Sequence, residues 1–150
     1  MNLNLQIKNA MVCGSTQGIG KASAIELALL GANVTLLARN EESLKAALKD
    51  LDTSKGQQHG YLCADFTNQQ QLKATVEGYI AKGNTIHILI NNTGGPAGGP
   101  ITEAKTEEFL NTFNNHLICN HLLMQAVLPG MKTASFGRII NIISTSVKQP

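Results

Sequence analysis

"GSTQGIGKA", residues 14–22, is the stretch that decides which fold this sequence predicts. It follows the apolar run NAMVC, which is typical of a buried strand, and it precedes apolar residues at helical spacing. A glycine-rich turn between a strand and a helix is typical of a loop that holds phosphate at the helix N-terminus. Two kinds of protein build such loops, one for nucleoside triphosphates and one for dinucleotides.

The spacing disfavours a triphosphate loop. That motif is GxxxxGK[ST], and counting back from Gly20 puts Ser15 where its first glycine belongs. Ala22 then stands where the motif needs a magnesium-binding hydroxyl. Two mismatches in one motif make the triphosphate interpretation poor.

The spacing favours a dinucleotide loop instead. Gly14, Gly18 and Gly20 form GxxxGxG. In such a turn one glycine makes the tight bend, another lets the backbone approach pyrophosphate, and a third lets the helix pack closely on the sheet.

Length and composition limit the class of protein. The chain has 150 residues, of which 43% are hydrophobic and 15% charged, so one domain over residues 1–150 with a real core is expected. The net charge of +2 and its scattered basic residues argue against nucleic acid. No apolar run reaches the ~18 residues that span a bilayer. Three cysteines without metal-ligand spacing suggest reduced thiols, no metal site and a cytoplasmic protein.

Strand and helix patterns alternate along the chain. Helices are predicted between the strands, and the last and longest runs from about Thr106 to Pro129 and Gly130. Predicted strands cover 9–14, 33–38, 60–64, 86–91 and 138–143. Because parallel strands need a helical crossover, this order predicts an α/β, Rossmann-like, doubly wound parallel sheet that is truncated after its fifth strand.

Local signals place the helix ends and faces. Asn40 is expected to cap the second helix, and Thr67 with Gln70 resembles a capping box for the third. Gly31 and Gly83 are expected to end helices. The predicted buried face of the first helix is Ile19, Ala22, Ile25 and Leu29.

The glycine spacing and four later motifs resemble the short-chain dehydrogenase/reductase family. The motifs are GxxxGIG at 14–20, ADFT at 64–67, NNTGG at 91–95, LPGM at 128–131 and GRIINIIS at 137–144. NNTGG is similar to the family's NNAG, with Thr93 in place of alanine. The resemblance implies hydride transfer between nicotinamide and a carbonyl or alcohol, and 3-oxoacyl-carrier-protein reductases are the members of the family that it suggests.

The resemblance also implies where the cofactor binds. Asp65 would hydrogen-bond the adenine amino group. The predicted cofactor-binding residues are Gly14, Ser15, Thr16, Gly18, Ile19, Gly20, Arg39, Asn40, Asp65, Phe66, Asn91, Thr93 and Gly94.

The end of the second strand predicts a preference for NADP(H). A dinucleotide domain that holds the ribose hydroxyls places a carboxylate there, whereas this chain has Ala38 and Arg39. An arginine can grip a 2′-phosphate and would favour NADP over NAD by about ten- to a hundredfold. Ser15 and Asn40 are expected to add contacts nearby.

The family uses asparagine, serine, tyrosine and lysine for catalysis. Ser144 matches the serine, although Ser146 could be mistaken for it. Counting back from LPGM aligns His116 with the asparagine, and a shift of one residue would restore Asn115. His116 and Ser144 are therefore the candidate catalytic residues.

The family's YxxxK is missing. Tyr61 and Tyr79 lie on the predicted third strand and third helix, and neither has a lysine four residues later. We therefore expect a truncated reductase whose fifth strand is left at a sheet edge, and little activity from these residues alone. A non-catalytic dinucleotide-binding or scaffolding module is the alternative.

The expected partners are a small carbonyl or alcohol substrate and further copies of the chain. The family's long helix commonly builds dimer and tetramer interfaces, so residues around 107–131 are the predicted contact. The sequence does not identify the substrate.

Overall fold

The computed structural model describes residues 3–96 and 98–145. Its strands are β1 (Asn9–Cys13), β2 (Asn33–Ala38), β3 (Gly60–Cys63), β4 (Ile88–Asn91) and β5 (Arg138–Asn141). They form one sheet in the order β3-β2-β1-β4-β5, and every pairing is parallel. The predicted doubly wound parallel sheet is confirmed.

The strands are covered on both faces, which explains their nearly continuous apolar sequences. Residues of β1 alternate between two cores: Ala10 and Val12 lie in one, Met11 and Cys13 in the other. β5 pairs only with β4 among the described strands and forms an edge, as expected, with Ile140 45% exposed.

The helices are α1 (Gly18–Leu29), α2 (Glu41–Leu48), α3 (Gln69–Ala81), α4 (Thr106–Phe113) and α5 (Cys119–Thr133). Residues of α1 and α2 share the first core, and those of α3 and α5 share the second. The two pairs therefore cover opposite faces of the sheet. The carboxyl ends of the parallel strands meet at one edge, which is where ligands bind in such folds.

The predicted buried face of α1 is wrong except for Ile25, which is partly buried against the first core. Gly20, Ala24 and Ala28 are buried, whereas Ile19 and Leu29 are 60% and 46% exposed. Small residues face the sheet because α1 lies very close to it at its first turn. Close approach excludes the larger side chains that hydrophobicity alone would have placed inside.

The caps of the next two helices follow the sequence only in part. The Asn40 side chain accepts a hydrogen bond from the Ser43 N–H at 2.8 Å, as predicted for a cap of α2. The capping box at Thr67 is wrong by one residue, because Asn68 caps α3 by accepting from the Gln71 N–H at 3.0 Å. Asn is a stronger cap than Thr, so it takes the position.

The long predicted helix has three segments. α4 passes into a π-helical turn, Asn114–Ile118, and then into α5. Pro129 lies inside α5, so the predicted end at Pro129 and Gly130 is wrong. The chain leaves the helix at Ser135, whose φ is 49°, and the Phe136 N–H donates back to the Met131 carbonyl at 3.1 Å. A left-handed residue with this bond ends the helix without needing a glycine.

Four strands are shorter than predicted. β1 ends at Cys13 and β3 at Cys63, each one residue before the expected ends at 14 and 64. β4 begins at Ile88 and β5 ends at Asn141, each two residues inside the expected bounds of 86 and 143. The flanking residues still hydrogen-bond across the sheet: the His87 N–H donates to the Asn9 carbonyl at 2.8 Å. The apolar stretches of the sequence therefore extend beyond the residues that pair as regular strands.

Candidate functional site

A cavity of about 500 Å³ lies at the carboxyl edge of the sheet. The segments that follow β1, β2, β3 and β4 all contribute to it, as does the π-helical turn. Its lining residues are Gly14, Thr16, Gln17, Gly18, Ile19, Ala38, Arg39, Ala64, Asp65, Phe66, Thr67, Asn92, Thr93, Gly94, Gly95 and Asn115.

The glycine turn, residues 14–20, lines part of this cavity. Gly14 and Gly18 have φ values of 57° and 55°, a left-handed conformation that favours glycine. A Cβ on Gly14 would lie 2.6 Å from the Asn92 carbonyl oxygen, whereas one on Gly18 would meet nothing within 4 Å. Gly14 is therefore required by packing, and Gly18 leaves open space beside the turn.

The N-terminus of α1 is open beside this turn. Its N-cap residue, Gln17, makes no side-chain cap hydrogen bond, and its first turn has no acidic residue. Asn40 and Asn68 cap α2 and α3. The first N–H groups of a helix carry a partial positive charge and bind anions where no side chain satisfies them.

Asn92 ties the turn to β4 and was missed by the sequence analysis. Its Nδ2 lies 3.4 Å from the Cys13 carbonyl and 3.3 Å from the Gly14 carbonyl. The NNTGG motif contained the signal, because Asn92 is its second asparagine, but the cofactor contact was predicted for Asn91. Asn92 also lines the cavity.

Polar side chains at the ends of β2 and β3 line one side of the cavity. Arg39 is exposed there, and no described salt bridge occupies its guanidinium. The Asp65 carboxylate accepts a hydrogen bond from the Thr67 N–H at 2.9 Å. The cavity therefore has a cation and a carboxylate on neighbouring strand ends.

Four of the predicted cofactor-binding residues do not line the cavity. The Ser15 hydroxyl is buried and lies 3.5 Å from the Leu37 carbonyl. Gly20 is buried under the turn, and Asn40 caps α2. Asn91 is buried, and its Nδ2 donates to the Asn141 Oδ1 at 2.8 Å, so it joins β4 to β5.

The π-helical turn places the two candidates for the helix asparagine differently. Asn115 lines the large cavity and also a smaller one of about 180 Å³. His116 lines only the smaller of these two, and its ring lies 2.9 Å from the Thr93 hydroxyl. A π-turn within a helix is frequently found at functional sites.

The remaining predicted residues lie on three other segments. Ser144 is exposed in the segment that follows β5, at the same edge of the sheet as the cavity. Ser146 lies outside the described residues. The Tyr61 hydroxyl donates to Glu41 at 2.9 Å, and this carboxylate raises the pKa of Tyr61. The Tyr79 hydroxyl lies 2.9 Å from the Thr35 hydroxyl, so both tyrosines have partners away from the cavity.

The described ranges offer neither a metal-binding cluster nor a membrane-spanning helix. Residues 3–96 and 98–145 contain no group of three or more His, Cys, Asp or Glu side chains that could hold a metal ion. Within the same ranges no helix has both the length and the apolar character needed to cross a membrane.

Similarity to curated proteins extends along nearly the whole chain. A protein named as a ketoacyl reductase of the granaticin polyketide synthase in Streptomyces violaceoruber is 39% identical over 142 residues, covering 93% of this chain and 52% of its own length. The inactive hydroxysteroid dehydrogenase-like protein 1 of Pongo abelii is 34% identical over 143 residues, covering 94% and 43%. The chain thus spans about half the length of these relatives.

A solved structure shows the same architecture. L-sorbose reductase from Gluconobacter frateurii, complexed with NADPH and L-sorbose, matches with a TM-score of 0.91 at 29% identity, covering 100% of this chain and 57% of the reductase. The short chain dehydrogenase family model matches residues 8–150. The glycine turn, the parallel sheet and this match agree, and the chain belongs to the short-chain dehydrogenase family.

Proposed function

We propose that the protein is an NADP(H)-dependent oxidoreductase that transfers a hydride between nicotinamide and a carbonyl or alcohol substrate. The observation that carries this proposal is that one cavity joins the open N-terminus of α1 to Arg39 and Asp65. A dinucleotide carries the two groups that such residues bind, a pyrophosphate for the helix N-terminus and an adenosine ribose for the ends of β2 and β3. The NADPH complex of L-sorbose reductase, whose fold is the same, supports the proposal.

The residues present fit this cofactor. The open space at Gly18 and the unsatisfied N–H groups of α1 suit the pyrophosphate, since glycine lets the backbone approach phosphate closely. Asp65 is available to accept a hydrogen bond from the adenine amino group. When bound, the cofactor supplies or accepts the hydride.

Arg39 supports NADP(H) over NAD(H). The end of β2 has no carboxylate to accept from the 2′-hydroxyl of NAD, and it offers a guanidinium that lines the cavity. Guanidinium and phosphate form strong, often bidentate, charge-assisted hydrogen bonds. The Asn40 side-chain oxygen is occupied by the α2 cap, so its Nδ2 is the group left to donate to the phosphate.

Ser144 is the residue of this chain that would act on the substrate. Its hydroxyl would donate a hydrogen bond to the reacting oxygen, which gains negative charge as a carbonyl is reduced. Neither tyrosine of the sequence lines the cavity. We therefore assign the proton donor to neither tyrosine, and we expect the 150 residues alone to be inactive.

We also propose that the protein is a cytoplasmic homo-oligomer. An exposed face that runs from α4 into the π-helical turn supports oligomer formation, because Phe109, Phe113 and Leu117 are each more than half exposed. These residues lie four apart and form one apolar face, which is typical of a surface that another protein covers. The three cysteines are free thiols, which suits a reducing compartment.

A non-catalytic binding module is the second candidate. One observation favours it: a relative at 34% identity is named an inactive hydroxysteroid dehydrogenase-like protein. Such a protein would hold the dinucleotide and reduce no substrate.

NADPH oxidation distinguishes the two candidates. The protein that carries this sequence would be incubated with NADPH and a panel of ketones, 3-oxoacyl thioesters and ketoses, and followed by absorbance. Oxidation that depends on one of these carbonyls supports the reductase. Tight NADPH binding without oxidation of NADPH over the panel would support the binding module and contradict the reductase.

A further inference from the structure

Two positions singled out by comparison with the family's motifs lie in contact with each other. Thr93 stands where the NNAG motif has alanine, and counting back from LPGM aligns His116 with the asparagine of the long helix. Thr93 Oγ1 lies 2.9 Å from His116 Nδ1 and 3.2 Å from His116 Nε2. The Thr93 hydroxyl therefore lies beside the His116 imidazole.

The His116 ring also contacts the backbone of the same loop. Its Nε2 lies 3.1 Å from the Gly94 carbonyl oxygen. Because a carbonyl can only accept, this bond assigns the proton of a neutral imidazole to Nε2, and Nδ1 is left to accept from the Thr93 hydroxyl. One ring thus binds the side chain of Thr93 and the backbone of Gly94.

In the π-helical turn, His116 makes the contact with Thr93 while its neighbour Asn115 lines the larger cavity. Asn115 lines both the 500 Å³ cavity and the 180 Å³ cavity, while His116 lines only the smaller of the two. Gly94 and Gly95 also line both. The wall between the two cavities therefore consists of the loop after β4 and the π-helical turn, and the Thr93–His116 contact joins these two parts.

The strand order places this wall at one end of the proposed cofactor. Arg39 and Asp65 follow β2 and β3, on one side of β1, whereas residues 92–95 follow β4 on the other side. A dinucleotide whose adenosine ribose lies at Arg39 crosses β1 and extends its nicotinamide half toward residues 92–95.

We infer that Thr93 and His116 form a latch that fixes residues 92–95 and Asn115 against the nicotinamide half of NADP(H). The inference rests on the proposed function. His116 is then a positioning residue that acts through the loop. Of the two neighbours Asn115 and His116, Asn115 is the one whose side chain faces the cofactor.

The test compares two ligands that share the adenosine half of NADP(H). NADPH contains both halves, whereas adenosine 2′,5′-bisphosphate has the adenine, ribose and 2′-phosphate and lacks nicotinamide. Thr93→Ala should weaken NADPH binding by about three- to tenfold, the effect of one hydrogen bond, and leave the bisphosphate within about twofold. Thr93→Ser keeps the hydroxyl and should bind both ligands as the wild type does.

Coupling between the two residues gives a second readout. If they act as one latch, Thr93→Ala with His116→Ala should weaken NADPH binding no more than His116→Ala alone, which already removes the contacts to both Thr93 and Gly94. Thr133→Ala is the matched control, because the Thr133 hydroxyl donates to the Pro129 carbonyl at 3.1 Å near the end of α5 and lines neither of the two cavities. It should change neither affinity.

Amide hydrogen exchange separates failure of the latch from failure of the proposed function. In the ligand-free protein, Thr93→Ala should speed exchange at residues 92–95 by about fivefold, and Thr93→Ser should not. Unchanged exchange, equal weakening of both ligands, or full additivity in the double variant would each overturn the latch. A wild-type protein that binds neither ligand would overturn the proposed function, and the exchange rates would then decide the latch.

Discussion

The carbonyl oxygen of Gly14 occupies the place that a Cβ on Gly20 would need. α1 therefore begins in direct contact with the backbone that leaves β1. This contact, together with the two hydrogen bonds from the Asn92 side chain, holds the glycine turn under the open N-terminus of the helix. The third glycine of the motif is thus required by helix packing, and the first two shape the turn.

Gly20→Ala should destabilise the protein. The new methyl group would overlap the Gly14 carbonyl and force α1 away from the turn, and overpacking of this kind costs about 1–3 kcal/mol. Urea unfolding measures the loss in the free energy of unfolding. NADPH affinity should fall with it, because the phosphate-binding turn moves.

Gly78→Ala is the matched control for that change. Gly78 also lies inside a helix, α3, but a Cβ there would meet nothing within 4 Å. The same substitution should stabilise the protein by about 0.5–1 kcal/mol, because alanine is the better helix former. If the two variants changed stability in the same direction, the packing role of Gly20 would be wrong.

Ser144→Ala should lower kcat/KM for carbonyl reduction by about a hundredfold or more, the usual effect of removing one donor to a developing oxyanion. The Kd for NADPH should stay within about twofold, because the proposed partner of Ser144 is the substrate. Steady-state rates and a binding titration measure the two effects. Ser43→Ala, on the exposed side of α2, is the control. A Ser144→Ala protein with unchanged turnover would exclude the serine from the reaction.

Phe113→Lys should separate the oligomer into monomers. A lysine in the middle of the exposed apolar face of α4 would be buried without a partner when two copies associate, which is strongly unfavourable. Sedimentation velocity gives the mass of each variant. Leu3→Lys is the control, because Leu3 is 56% exposed, as Phe113 is at 54%, but lies near the N-terminus. A wild-type monomer, or a Phe113→Lys oligomer of unchanged mass, would contradict the proposed interface.

His87 should make stability depend on pH. Its Nδ1 accepts a hydrogen bond from the Asn9 N–H at 3.0 Å, and burial, with a smaller effect of Lys8, lowers the pKa of His87. Between this lowered value and the ordinary 6.5, the unfolded chain binds more protons than the folded one. The free energy of unfolding should therefore fall as pH drops below about 6.5 and level off below the folded pKa.

Urea unfolding of wild type and His87→Gln across pH 7.5 to 5 measures this contribution. The variant should lose less stability than wild type over that range. His121→Gln, at an exposed position of α5, should follow the wild-type curve. Parallel curves for wild type and His87→Gln would show that His87 is not responsible.

Most of the fold could be predicted because the alternating apolar runs match the sheet and its crossovers. β2 has the predicted bounds, Asn33–Ala38. The buried face of α1 could not be predicted from hydrophobicity, because the contact between Gly20 and Gly14 selects small residues for that face. The true end of α5 was missed because Pro129 is tolerated inside it and a serine, rather than a glycine, adopts the left-handed conformation.

The site was predictable where each loop follows a strand, because the carboxyl ends of parallel strands meet at one edge. Arg39 and Asp65 come together for this reason. Side-chain direction was not predictable: of the two neighbouring asparagines in NNTGG, Asn92 reaches the turn and Asn91 binds β5. The contact between Thr93 and His116 involves the π-helical turn, which no pattern in the sequence predicts.

The binding preference between NADPH and NADH, measured for wild type and for Arg39→Ala, tests the central claim most directly. The claim is that a dinucleotide lies across the glycine turn with its 2′-phosphate at Arg39. Wild type should bind NADPH more tightly, and Arg39→Ala should reduce the ratio of the two affinities by about ten- to a hundredfold, with NADH binding nearly unchanged. Equal weakening of both nucleotides, or a wild-type preference for NADH, would contradict it.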